Sequence, residues 1–402
     1  MSPAHAQAPA ISLTEYFTRA SATDRFAADA DGLRKLMFGF FGEVGGLLAA
    51  IKKVGRDQLK ESETEVAGEE IGDALWYLVA VAHTLGIAAD ELGSACMRSL
   101  RQELGEVERA SSTSTTFRNI DGIVAVHSAG LDTRRADLLG ELARASGDLL
   151  KPPEGALAAL PKEQLFAQFG HLMATLALVS GSFNLKLEEL ARDNLAKIAG
   201  RWPGDHPLYV GLFDDGFADH EQLPRELRME FIERGHDKHA HVVQRMNGVY
   251  IGDRLTDNSV EPDDYRFHDV FHLAYIAHLG WSPVIRGLLK RKRKSNPAID
   301  ENQDGARAMI IEEGIATWIF NHAKKREFYQ EIALNKLDYG LLKQVESMVA
   351  GYEVERCPPW QWEKAILDGF AIFREIRKPE NRGGVVVVDM VEHTIKFERS
   401  PL

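Results

Sequence analysis

Residues 69–92 can be laid on residues 167–190 without a gap. Gly72 then meets Gly170, Leu78 meets Leu176, Val81 meets Val179, and Glu91 and Leu92 meet Glu189 and Leu190. Gly86 falls on Asn184, and these are the residue types that most readily take the left-handed conformation that closes a helix. A turn shared between two apolar helical stripes predicts an internal duplication, so the first half of the chain has to fold as two related helical pieces. Within the first piece, Leu33, Leu36, Met37, Phe40, Val44, Leu47, Leu48 and Ile51 recur every three or four residues, as a helix with one buried face requires. After a polar connection, a second helix from about Glu65 to Leu85 carries Ile71, Leu75, Leu78, Val79 and Ala82 as its stripe, and Ala89 opens a third.

Two breaks bound these pieces. Ala110 to Thr116 is polar and without period, and the stretch from Trp202 to Pro207 stops a helix with two prolines and a glycine. The expected organisation is a catalytic helical domain at 1–110, a degenerate helical repeat at 117–205 and a histidine-rich domain at 206–402. A chain of 402 residues is long enough for two or three such domains at roughly 100–200 residues each. The last domain contains helical stretches near 306–325, 340–350 and 360–377, and its Val-rich end, 383–398, reads as strand or hairpin. The fold class is therefore mainly all-α, a tandem, pseudo-dimeric helical bundle followed by an α-rich domain with a small β element.

Composition narrows the function classes. A net charge of -12 argues against a surface built to grip nucleic acid or anionic membrane. Cys96 and Cys357 form no CxxC pair, the N-terminus lacks the basic flank of a signal peptide, and the most apolar stretch, 74–89, is too short to span a bilayer. A cytoplasmic protein with no membrane partner is expected.

The chemistry concentrates in carboxylates. Glu43 sits within an otherwise apolar helix, and Glu70 and Asp73 are three residues apart, so both lie on one face of the next helix. Six acidic residues and no basic one lie between Glu61 and Asp73. Such acids can simply favour a helix N-terminus. Two antiparallel helices would also bring Glu43 opposite Glu70 and Asp73, and carboxylates converging inside a bundle suit Mg²⁺ or Mn²⁺.

This pattern resembles the MazG-like all-α nucleoside triphosphate pyrophosphohydrolases over about residues 11–105, with a weaker echo to Trp202. Their signature is two helical acidic pairs, ExxE and ExxD, that bind magnesium. Three of those acids are present as Glu43, Glu70 and Asp73; the fourth position is Gly46. Either a backbone or ligand approaches closely there, or the site is partly decayed. In the second copy Gln168 and His171 replace Glu70 and Asp73, and an approximate match puts Asp148 opposite Gly46. That copy ends in Asn194, Lys197, Arg201 and Trp202-Pro203, similar to the closing helix that helps the family hold a triphosphate. The resemblance thus implies Mg²⁺-dependent hydrolysis of a nucleoside triphosphate to monophosphate and pyrophosphate by a homodimer. On this reading the first copy supplies Glu43, Glu70 and Asp73, the second supplies Asn194, Lys197 and Arg201, and Lys52 and Trp76 complete the substrate-binding set; alternatively Lys197 and Arg201 only complement a helix C-terminus. Phe38, Phe40, Phe41 and Trp76 either stack on a base or pack in the core. The alternative is a nucleotide-binding regulator in which the missing acid has abolished turnover.

The third segment resembles the C-terminal extension of some MazG-like proteins. His268 and His272 are one turn apart, Asp269 adjoins the first, and Glu312 lies on a later helix. Two imidazoles at i and i+4 with a distant carboxylate are zinc-type ligands, so this set is a candidate second divalent metal site and a candidate second phosphohydrolase centre. Alternatively they are core histidines bonded to acids. His236-Asp237 with His268-Asp269 also resembles the HD-type phosphohydrolases. The basic run Lys290 to Lys294 reads either as a solvated loop or as a patch for phosphates or RNA.

Overall fold

The structure is a computed structural model that describes residues 11–26, 28–57, 62–107, 115–153, 155–204 and 207–399. The N-terminal leader, most of the Ala110–Thr116 linker, Glu61, and Asp205 and His206 of the second break lie outside the described residues. The chain divides into two compact units, residues 1–199 and 200–402.

The first unit is helical: α1 (Leu13–Ser21), α2 (Ala30–Asp57), α3 (Glu63–Thr84), α4 (Ala89–Glu103), α5 (Phe117–Val126), α6 (Arg135–Asp148), α7 (Lys162–Ser182) and α8 (Leu187–Arg201). Side chains set their starts. The Ser62 hydroxyl accepts from Glu65 N–H while the Glu65 carboxylate accepts from Ser62 N–H, satisfying two donors that the first turn leaves without partners. Ser12 caps α1 and Thr116 caps α5, and these two residues pair in an isolated antiparallel bridge.

The turns repeat as the sequence implies. After α3, Ile87 N–H donates to the Ala82 carbonyl and Gly86 N–H to His83, with Gly86 at φ +73°. After α7, Leu185 N–H donates to Ser180 and Asn184 N–H to Gly181, with Asn184 at φ +59°. Both are the paired closure that a left-handed residue permits. Moreover, α4 and α8 have bounds shifted by the same 98 positions. The copies also exchange partners. A Cβ on Gly170 of α7 would meet Ala95 of α4 at 2.6 Å, and one on Gly72 of α3 would sit 3.5 Å from the Asn194 Cβ of α8. Helix α7 therefore packs on α4, and α3 on α8. One helix, α7, is long and apolar enough to cross a membrane by composition alone, but most of it is buried in this unit.

The second unit contains β1 (Glu226–Arg234), β2 (His241–Met246), β3 (Val249–Leu255), α9 (Asp269–Leu279), α10 (Pro283–Leu288), α11 (Pro297–Asn302), α12 (Ala306–Lys324), α13 (Tyr339–Met348), α14 (Pro359–Ile376), β4 (Gly383–Asp389) and β5 (Thr394–Glu398). The strands form one antiparallel sheet in the order β3-β2-β1-β4-β5. On β1, Leu227, Met229 and Phe231 are buried, and Leu227 pairs with Val388 and Met229 with Val386, so one apolar face continues across both strands. That face packs on α9 and α14, whose aromatic residues Phe271, Phe370 and Phe373 fill the core. The hairpin read at 383–398 is present as β4 and β5. Strands β1 to β3 add to the small β element expected at 383–398, and β1 alternates buried and more exposed positions with period two.

Candidate functional site

In the first unit, α2 and α3 pack against each other and bring Glu43 to Glu70 and Asp73. The Glu43 and Glu70 carboxyl groups face each other closely enough that each disfavours the other's charge. Burial, then the charges of Asp73 and Glu70, push the Glu43 pKa up to about 7. Gly46 has a local explanation: a Cβ there would lie 2.5 Å from Glu70 Oε2, so the Glu70 carboxylate occupies the space that a side chain at 46 would enter.

From the second copy, α8 meets α3 at this point. Asn194 Nδ2 donates to Asp73 Oδ1 at 2.9 Å, and its own Oδ1 accepts from the Tyr16 hydroxyl at 3.0 Å. Lys197 Nζ donates to Asp73 Oδ2 at 2.6 Å and to Glu69 Oε1 at 3.0 Å. Burial opposes the Lys197 charge, but these carboxylates outweigh it and hold its pKa above the ordinary lysine range. A cleft of about 410 Å³ opens beside Glu69, Asp73, Asn194 and Lys197.

The other expected substrate residues lie elsewhere. Arg201 belongs to the second unit, where its buried guanidinium pairs with Glu363 and donates to the Leu337 carbonyl at 2.7 Å. Its charge is committed to an interior ion pair. Lys52 is exposed on α2, nine residues beyond Glu43, which is about two and a half turns and hence the opposite face. Trp76 is buried, with its Nε1 donating to Thr23 Oγ1 at 3.2 Å, and Phe40 is core; Phe38 and Phe41 are exposed on α2.

Residues 135–182 admit a second alignment beside the one that sets Asp148 opposite Gly46. Carried over to α6, the 98-residue shift that relates α4 and α8 sets Glu141 opposite Glu43 and Arg144 opposite Gly46. In agreement, His171 Nε2 is 3.3 Å from Glu141 Oε1, and Glu141, Arg144, Asp148, Gln168 and His171 line one cleft of about 260 Å³. Under that shift an arginine stands at the position of Gly46.

In the second unit, His268 precedes α9, His272 lies on it, and α12 delivers Glu312 and Glu313. Glu312 Oε1 accepts from His272 Nδ1 at 2.8 Å and from Ser282 Oγ at 2.6 Å, and Oε2 accepts from Val284 N–H at 2.8 Å. Glu312 therefore holds His272 from behind instead of sharing its Nε2 side. The carboxylate on the Nε2 side is Glu313, one residue later, with Asp269 beside His268. His236 and Asp237 are exposed between β1 and β2 and take no part in this cluster. The basic run is not one free patch either: Arg293 is buried against Asp304 and Glu353, and Arg291 donates to the Asp219 carbonyl.

The two units therefore define a helical protein with a half-buried carboxylate cluster, joined to an α-rich unit with a five-stranded sheet. A family model described as the MazG C-terminal domain matches residues 208–401, which supports a MazG-associated protein. No curated protein and no solved structure matches the chain.

Proposed function

We propose that the first unit hydrolyses nucleoside triphosphates to the monophosphate and pyrophosphate with the help of Mg²⁺. The observation that carries this reading is the meeting of Glu43, Glu70 and Asp73 with Asn194 and Lys197 across the two copies. The donor set fits a hard cation: every candidate ligand atom is a carboxylate oxygen, and the raised Glu43 pKa, caused by burial and by the charges of Asp73 and Glu70, marks crowded negative charge. Glu43, Glu70 and Asp73 would hold Mg²⁺, with Mn²⁺ as a substitute; bound there, the ion neutralises phosphate oxygens and favours attack at phosphorus.

The protein groups supply the rest. Lys197 can exchange one of its carboxylate partners for a phosphate oxygen, and Asn194 keeps Asp73 oriented. Glu43 must give up its own proton before it can hold the ion, and the proton of the attacking water leaves to solvent as the bond to the departing pyrophosphate breaks. The MazG-type match to the second unit supports the same functional class. The test is a panel of NTPs and dNTPs with Mg²⁺ or Mn²⁺, scored for pyrophosphate and phosphate, with Glu70→Ala as control. Pyrophosphate release abolished by Glu70→Ala supports the proposal. Nucleotide binding without turnover would instead favour a regulator.

A further inference from the structure

We propose that His268, Asp269, His272 and Glu313 of the second unit form a binding site for a transition-type divalent cation, Zn²⁺ in the first instance, separate from the carboxylate site of the first unit.

The hydrogen bonds fix which ring nitrogens are available. His268 Nδ1 is 2.9 Å from the Tyr265 carbonyl oxygen, which can only accept, so Nδ1 carries the proton. His272 Nδ1 faces Glu312 in the same way at 2.8 Å. With Nδ1 committed in this way, Nε2 is the ring atom each histidine can offer to a metal. Burial opposes a charge on His272, but Glu312 and Glu313 outweigh it and hold its pKa well above the ordinary histidine range, so a bound cation would take the place of the Nε2 proton. Both Nε2 atoms turn to the same carboxylate: His268 Nε2 is 3.7 Å and His272 Nε2 3.5 Å from Glu313 Oε2, and His268 Nε2 is 3.1 Å from Asp269 Oδ1. His272 is fully buried, and its Nε2 has no hydrogen-bond partner among the described residues. A buried imidazole nitrogen that faces carboxylate oxygens without reaching hydrogen-bond distance leaves room for a cation between them.

Spacing and charge agree. Ligand atoms about 2.0–2.1 Å from a tetrahedral Zn²⁺ lie roughly 3.3 Å apart, close to the three separations above. The donors of His268, Asp269 and His272 lie within 4.8 Å of one another. Glu312, Asp269 and Glu313 bring three negative charges, and no lysine or arginine pairs with them among the described residues. Mixed imidazole and carboxylate donors favour Zn²⁺ and its transition-metal neighbours over Mg²⁺.

The surroundings hold these donors in place. Gln244 Nε2 on β2 donates to Asp269 Oδ2 at 2.6 Å, Ser282 and the α10 backbone hold Glu312, and the Tyr265 ring stacks on His268 at 4.4 Å. Such outer partners orient metal ligands and set their tautomers. His268, Asp269 and His272 are at most 7% exposed, whereas the Glu313 side chain is 42% exposed. An ion would enter past Glu313, the one donor that water or an oxyanion could replace.

The test uses the full-length chain, stripped with a chelator and titrated with Zn²⁺ by calorimetry, and with Co²⁺ by visible absorption. Wild type and Glu70→Gln should each bind one tight equivalent, with Co²⁺ bands typical of four-coordination. His268→Gln/His272→Gln should lose that equivalent. Glu313→Gln, at a partly exposed position that leaves the core intact, should weaken it at least tenfold with an unchanged circular dichroism spectrum. A tight equivalent that survives both changes, or no tight equivalent in wild type, overturns the proposal.

Discussion

The carboxylate of Glu70 lies over the bare Cα of Gly46: a Cβ at 46 would sit 2.5 Å from Oε2. The glycine that interrupts the acidic signature is thus the place where the carboxylate of the facing helix rests. In Gly46→Ala the loss of a mid-helix glycine should favour folding by about 1 kcal/mol, because the atom in the way is the far end of a flexible side chain. The displaced carboxylate should nevertheless lower activity. Thermal melting and steady-state kinetics on the same variant check this, and activity at the wild-type level in Gly46→Ala would contradict it.

Glu43 should impose a pH dependence on metal binding. It must lose its proton to hold a cation, so Mg²⁺ or Mn²⁺ affinity should rise with pH up to about 7 and then level off. Without metal the sign for stability is opposite. The folded state binds this proton more tightly than the unfolded chain, so this contribution is lost as pH rises from the ordinary glutamate range through about 7. Mn²⁺ titrations followed by electron paramagnetic resonance between about pH 5.5 and 8.5 should show the slope in wild type and its loss in Glu43→Gln.

Arg201 should behave as a structural residue. Arg201→Ala leaves Glu363 buried and unpaired, a change expected to cost about 3–5 kcal/mol of stability. Denaturant unfolding should report that loss. A raised KM with unchanged stability would return Arg201 to the phosphate site.

The basic run should divide in the same manner. Neutralising exposed Lys290 and Lys294 to Gln should leave the melting temperature within a degree or two, because surface substitutions rarely exceed about ±0.5 kcal/mol. Arg293→Ala, which strands buried Asp304 and Glu353, should destabilise strongly.

What the sequence made legible was local. The turn at Gly86 and its echo at Asn184, the capped start of α3 and the i,i+3 spacing of Glu70 and Asp73 depend on a few neighbouring residues. The orientation of Lys52 away from Glu43 was equally legible from helical phase, and the shift that pairs Glu141 with Glu43 needed only one constant offset. Other features were set by packing. Glu312 and Glu313 are adjacent, and only the approach of α12 to α9 decides which of them holds His272 Nδ1 and which faces Nε2. Arg201 sits at the end of a helix that also carries Lys197, yet Glu363, 162 positions away, takes up its charge. On β1 the Arg and Glu of the exposed positions break up a short apolar alternation, and β3 has no buried face at all, so its place in the sheet is set by pairing with β2.

The central claim is that two copies within one chain build one site, and Lys197 tests it most directly. The measurement is the pyrophosphate-release rate of Lys197→Glu against the preferred nucleotide with Mg²⁺, with Lys197→Gln to separate loss of charge from its reversal. The account predicts a fall in kcat/KM of about tenfold or more for Lys197→Gln and a larger one for Lys197→Glu, with the fold retained. Kinetics unchanged in both variants would contradict it.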